Sequence, residues 1–111
     1  MRILFTAEGK EWSSPVDPRL GRAEFLVIFD EERGELSALS NEEARSVQHA
    51  GPYTAQKILE LAPDTIITGH GPGGRACDLL EQSGITIYIG AGGMSLKEAY
   101  EAFKAGRLES F

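Results

Sequence analysis

Short continuous apolar runs and longer stretches with helical spacing divide the chain between them. Ile3-Leu4-Phe5 is a continuous apolar run, the mark of a strand buried on both faces. Phe25–Phe29 and Leu36–Leu39 read as two further strands. Asp30-Glu31-Glu32-Arg33-Gly34 joins them as a hairpin with glycine where positive φ is needed, so they are antiparallel neighbours. Asn41–Ala50 is charged and aperiodic and reads as an exposed connection that carries His49.

The second half alternates helix and strand. Gly51-Pro52 opens a helix with proline at the first helical position, and Ala55, Ile58, Leu59 and Ala62 form its apolar stripe up to Pro63. Thr65–Thr68 is the fourth strand. A glycine loop follows, then a helix with Ala76, Leu79 and Leu80 inward and Gly84 at its end. Ile85–Ile89 is the fifth strand, and Gly90-Ala91-Gly92-Gly93 repeats the glycine-rich strand ending. Ser95 and Glu98 spell a capping box for a third helix with Leu96, Ala99, Tyr100 and Phe103 on its apolar face, stopped by Gly106.

The order β, β, β, α, β, α, β, α predicts a single α/β domain over residues 1–111 with a mixed five-stranded sheet. Helices after strands three and four imply right-handed crossovers between parallel strands. Phe5, Phe25, Val27, Ile58, Ile66, Leu80, Ile87 and Phe103 are expected to be mostly buried. Strand order stays open at this level. In such sheets ligands bind beyond the carboxyl ends of parallel strands. Three loops should gather there: Ala7–Gly21, Gly69–Gly74 and Gly90–Gly93.

Composition narrows the setting. At 111 residues, 41% apolar and 25% charged, the chain is long enough for one real core. A net charge of −6 disfavours nucleic acid and anionic membranes as partners. No apolar run approaches a membrane span, and Met1–Lys10 lacks the build of a signal peptide. The single cysteine excludes an internal disulfide and fits a reducing compartment, so a cytoplasmic protein is expected.

Candidate chemistry concentrates in Thr65–Asp78, where a β-branched run meets a glycine loop and then a helix N-terminus. Outward amides beside a helix dipole favour an anion. Gly69, Gly71 and Gly74 formally spell G-x-G-x-x-G, but no carboxylate ends the following strand to hold a ribose, and no Gly-Lys-Ser/Thr follows for a phosphate loop. No Ser–His–Asp signature is present, and Asp17, Asp30 and Asp64 do not announce a metal cluster. The sequence therefore reads as non-catalytic. His70 and Cys77 are the metal-ligand candidates. One thiolate and one imidazole make neither structural zinc nor a self-sufficient iron–sulfur site, so they suit a ligand that brings its own metals. The helix field is expected to lower the Cys77 pKa if its sulfur reaches the helix end. Arg19, Arg22 and Arg75 are expected to form a positive patch at the same sheet end.

Val16-Asp17-Pro18-Arg19-Leu20-Gly21-Arg22-Ala23-Glu24-Phe25 and the apolar strand after it resemble the signature of the dinitrogenase iron–molybdenum cofactor biosynthesis family. That family includes NifX-like carriers and the C-terminal domain of NifB-like proteins. The resemblance continues through Ala55-Gln56, Ile67-Thr68-Gly69, Gly71-Pro72, Leu80, Gly84-Ile85, Tyr88-Ile89-Gly90, Glu98-Ala99 and Phe103–Leu108. It implies a three-layer α/β/α, ribonuclease-H-like fold with strand order 3-2-1-4-5 and strand two antiparallel. It also implies a non-catalytic role in binding or carrying an iron–sulfur or iron–molybdenum cofactor precursor, with a metallocluster donor or acceptor protein as partner. The cluster would be cargo, with no other cofactor, and the protein a monomer or weak homodimer. Arg19, Gly21, Arg22, Gly69, His70, Gly71, Gly73 and Gly74 are the expected binding residues, with His70 and Cys77 as metal ligands. Family members often carry His-Phe-Gly where this chain has Arg19-Leu20-Gly21. Arginine does not ligate metal, but its fork pairs with anions. A metal-free regulatory or interaction domain that binds a small anion or a partner protein is the alternative.

Overall fold

The computed structural model describes residues 1–46, 48 and 50–111, so His49 lies outside the described residues. The strands are β1 (Arg2–Ala7), β2 (Phe25–Asp30), β3 (Glu35–Ser40), β4 (Thr65–Ile67), β5 (Thr86–Ile89) and β6 (Glu109–Ser110). They form one sheet in the order β3-β2-β1-β4-β5-β6. β2 is antiparallel to β1 and β3, whereas β1, β4 and β5 run parallel. The expected order 3-2-1-4-5, with the second strand antiparallel, therefore holds, and a sixth strand extends it. The helices are α1 (Glu42–Arg45), α2 (Ala50–Leu61), α3 (Gly74–Gln82) and α4 (Leu96–Lys104).

The period-2 alternation of the central strands explains the three layers. Leu4, Leu26, Ile28, Ile66 and Ile87 pack with Ala55 and Ile58 of α2 and Ala76 and Leu80 of α3. Ile3, Phe5, Val27 and Ile67 point the other way, onto Leu96 and Ala99 of α4. β1 is buried from Ile3 to Ala7 because it is covered on both faces. Each such Leu, Ile or Phe contributes about 1.5–3 kcal/mol of burial.

Several expectations need correction. β6 was not expected, because two exposed polar residues at an edge carry no alternation to read. Asn41–Ala50 is not simply an exposed connection: Asn41 and Ala44 are buried, and the segment contains α1. The Asn41 amide donates to the Ala23 carbonyl (3.0 Å) and to Thr54 Oγ1 (3.1 Å), which pulls the segment onto the sheet. Ala62 leaves the α2 stripe, since it ends the helix in the left-handed region at φ 51°. Phe25 and Phe103, expected mostly buried, are partly buried and pack against the core on the α4 side. Phe25 keeps one side under Lys10, and Phe103 packs edge-on against Tyr88.

Because β1, β3, β4 and β5 run the same way, the segments that follow them leave from one end of the sheet. The long loop after β1 knits that end together. Its Val16 N–H donates to the Met94 carbonyl (2.9 Å), and its Pro18 carbonyl accepts from His70 N–H (2.9 Å). Leu96 N–H and Lys97 N–H donate to the Ser14 and Trp12 carbonyls. The three loops expected to converge do converge.

Candidate functional site

A cleft of about 390 Å³ opens at this sheet end, between the Arg19–Arg22 segment, the start of α2 and the entry to α3. Arg19, Gly21 and Arg22 form one wall, Gln48, Ala50 and Gly51 a second, and Gly71, Pro72, Gly73 and Ala76 a third. Among the described residues of the wall there are two arginines and no carboxylate. On a protein of net charge −6 that placement sets two of its eleven basic side chains on one wall.

Asp17 builds the arginine wall. Its carboxylate is wholly buried. Oδ1 accepts from the Arg19 N–H (3.0 Å) and Nε (3.1 Å), and Oδ2 accepts from Arg19 Nη2 (3.3 Å) and the Glu24 N–H (3.2 Å). A buried carboxylate is tolerated only when satisfied in this way. The hydrogen bond to Asp17, with its charge, holds the Arg19 guanidinium above its ordinary pKa, so Arg19 stays charged. The loop is anchored from below by a buried pair: Thr6 Oγ1 donates to the Asp17 carbonyl (2.8 Å) and shares a hydrogen bond with Thr68 Oγ1 (2.7 Å).

The glycines let backbones meet. A Cβ on Gly21 would come within 2.9 Å of Gly51 Cα, so only glycine lets this loop touch the start of α2. Thr54 Oγ1 fixes that approach by donating to the Gly21 carbonyl (2.6 Å). Gly69 is pressed against Pro18, where a Cβ would meet its Cα at 2.6 Å. Gly73 is the N-cap of α3, in an extended conformation, and no side chain caps the helix there. Neither α2 nor α3 has an acidic residue in its first turn. Both helix starts line the cleft, and their N-terminal dipole ends add positive potential to the arginines.

The expected residues divide. Arg19, Gly21, Arg22, Gly71 and Gly73 line the cleft, while Gly69 is buried behind it and Gly74 opens α3 at φ 43°. His70 is exposed and outside the wall. Cys77 is half-buried, and its Sγ donates to Glu81 Oε1 (3.4 Å) one turn further along α3. Desolvation, then the hydrogen bond to Glu81, pushes the thiol pKa up, opposite to the lowering expected from the helix end. The Glu81 and Asp78 charges add to that desolvation. Arg75 faces a separate hollow beside Pro52, Asp78 and Leu79, so the patch rests on Arg19 and Arg22. Among the described residues no group of three His, Cys, Asp or Glu side chains could hold a metal ion. Asp30 and Asp64 do turn work: Asp30 accepts from the Glu32 N–H in its hairpin, and Asp64 from the Arg2 N–H.

The second wall was missed from sequence. Gly51 was read only as a helix start, although a helix after a strand parallel to β4 must begin at the ligand end. The bracing role of Asp17 was missed as well; Asp two residues before Arg, in a proline-flanked loop, was the available signal.

Comparison with known proteins follows the same lines. A family model described as dinitrogenase iron-molybdenum cofactor matches residues 1–106. The apo form of the orange protein from Desulfovibrio gigas is 29% identical with a TM-score of 0.92, over 99% of this chain and 92% of that one. A Thermotoga protein solved by NMR and provisionally assigned to NifB is 31% identical with a TM-score of 0.83, over 98% and 91%. A third solved chain, 23% identical with a TM-score of 0.76, shares the fold. No curated protein matches the chain. Among the described residues no helix is long and apolar enough to cross a membrane.

Proposed function

This chain belongs to the dinitrogenase iron-molybdenum cofactor family, and from that premise we propose that residues 1–111 act as one binding unit that carries an anionic iron–sulfur or iron–molybdenum cofactor precursor in its cleft. The observation that carries the reading is the cleft itself, with Arg19, Arg22 and two helix starts converging and no carboxylate among its described wall residues. Metal–sulfide clusters with thiolate or sulfide caps bear net negative charge, and this surface is built for that charge. Family membership supports involvement with the iron–molybdenum cofactor. The name of the orange protein records a colour, and its structure is an apo form, which presupposes something bound.

In this reading Gly73, where an added Cβ would meet nothing, lets the cargo approach backbone amides, while Gly21, Gly51 and Gly71 shape the wall. Gly69 and Gly74 set the path of the loop, and exposed His70 is an imidazole ligand at its edge. Cys77 takes part only after giving up its proton. The cargo arrives from a metallocluster donor and leaves to an acceptor protein, and the chain performs no chemistry on it. A second reading shares the cleft: a metal-free domain that recognises a small anion. The protonated Cys77 and the absence of a three-ligand group among the described residues favour it.

Anaerobic loading with a preformed thiolate-capped iron–sulfur cluster tests the carrier reading. Retained colour and metal are measured after desalting for the wild type, Arg19→Ala/Arg22→Ala, His70→Ala, Cys77→Ser and His49→Ala. The carrier reading expects retention by the wild type, its loss in the double arginine variant and reduction in His70→Ala. No retention by the wild type, beside salt-sensitive molybdate binding, establishes the small-anion reading instead.

A further inference from the structure

The glycine loop is held on its inner side by Pro18, which packs on Gly69 and accepts the His70 N–H. Beyond His70, a different residue covers it. The Phe111 ring lies on Gly71, so that an added Cβ would overlap three of its ring carbons. Gly71 is not among the glycines with positive φ. The position therefore requires the absence of a side chain, not a left-handed backbone.

The ring is fixed by its own backbone. Phe111 N–H donates to the Ile87 carbonyl (2.8 Å), continuing the ladder in which Ser110 pairs with Tyr88 and Glu109 with Ile89. Upstream, Leu108 packs into the core on the α4 side, and Arg107 N–H donates to the Ala102 carbonyl (2.9 Å). A tether thus runs from α4 through β6 to a half-exposed ring seated on Gly71, a residue of the cleft wall.

We propose that Phe111 is a positioning residue for the cleft, holding Gly71 and Gly73 in the place where their backbone can meet a ligand. Glycine backbones lose the most entropy on ordering, so a loop of alternating glycines needs such a contact to stay set. A preset wall binds more tightly because less ordering is left for the ligand to bring about. The contact itself is independent of what the cleft binds; its effect on affinity rests on the anion reading above.

The test compares Phe111→Ala, Gly71→Ala and the double variant, using backbone order parameters of the free protein and titration with molybdate. Wild-type amides of Gly71 and Gly73 are expected near roughly 0.85, falling toward about 0.6 in Phe111→Ala. Molybdate affinity should fall about fivefold to tenfold, with circular dichroism unchanged. Gly71→Ala displaces the ring and should give the same losses, and adding it to Phe111→Ala should cause no further change. Unchanged order parameters in Phe111→Ala, or fully additive losses in the double variant, overturn the proposal. If order falls as expected while the wild type binds no molybdate, the positioning contact stands and the anion reading falls.

Discussion

Two helices start at the same end of the sheet, and they start differently. α4 closes its own N-terminus: Ser95 Oγ accepts the Glu98 N–H (3.1 Å), and Glu98 Oε1 accepts the Ser95 N–H (2.9 Å). α3 begins at Gly73 with no side-chain cap and no acidic residue in its first turn. The first arrangement satisfies the dipole end internally. The second leaves it to whatever enters the cleft between Arg19 and Gly51. Two glycine-rich strand endings of similar sequence are therefore not equivalent, and the uncapped one opens on the arginine-lined cleft.

The comparison can be broken hardest at the loop that makes the α3 side positive. Asp17→Ala removes the buried acceptor of two part-buried amides and the orienting partner of Arg19. It should cost about 2–4 kcal/mol in denaturant unfolding, whereas trimming a rim residue such as Gln48 should cost almost nothing. A smaller effect belongs to the closed end: Ser95→Ala should destabilise by about 1 kcal/mol and leave anion binding unchanged. The capping hydrogen bond to the backbone holds Glu98 below the usual carboxylate range. Its contribution is therefore present above the ordinary glutamate pKa and is lost as pH falls through the lowered folded value. Glu98→Gln should remove that part of the acid dependence, which urea melts in the acid range will show.

Closing the open end sharpens the comparison from the other side. At Gly73 an added Cβ meets nothing, and the extended backbone suits an N-cap residue. Gly73→Asp should thus stabilise the fold by a few tenths of a kcal/mol while abolishing anion binding through its charge. Smallest of all is the reach of the α3 dipole along its own helix. Cys77 alkylation should have its midpoint above the ordinary thiol pKa and move down in Glu81→Gln, because desolvation and that carboxylate hold the proton on. A midpoint below the ordinary value would mean that the helix end dominates after all.

Much of this was legible in the residues. The continuous apolar runs Ile3–Phe5 and Phe25–Phe29 and the β-branched run Thr65–Thr68 marked the strands, and the motif from Val16 to Phe25 carried the family and with it the strand order. Ser95 and Glu98 announced their capping box because both partners sit in one turn. What escaped depends on distance along the chain. Gly51 meets Gly21, and Phe111 meets Gly71, through the fold alone. Asn41 looked like part of a solvated stretch because its partners, Ala23 and Thr54, are remote in sequence. For Cys77 the condition that its sulfur reach the helix end was the weak point: it is half-buried and bonded to Glu81 four residues on, so desolvation and then that carboxylate raise its pKa.

The most direct test of the account is residue-resolved: amide chemical shifts of the uniformly ¹⁵N-labelled protein during titration with molybdate, at low and then high salt. The account predicts that shifts concentrate at Leu20–Arg22, Gly51 and Gly71–Ala76, weaken with salt, and spare Leu96–Ala99. Shifts centred on the capped start of α4, or none at the start of α3, would contradict it.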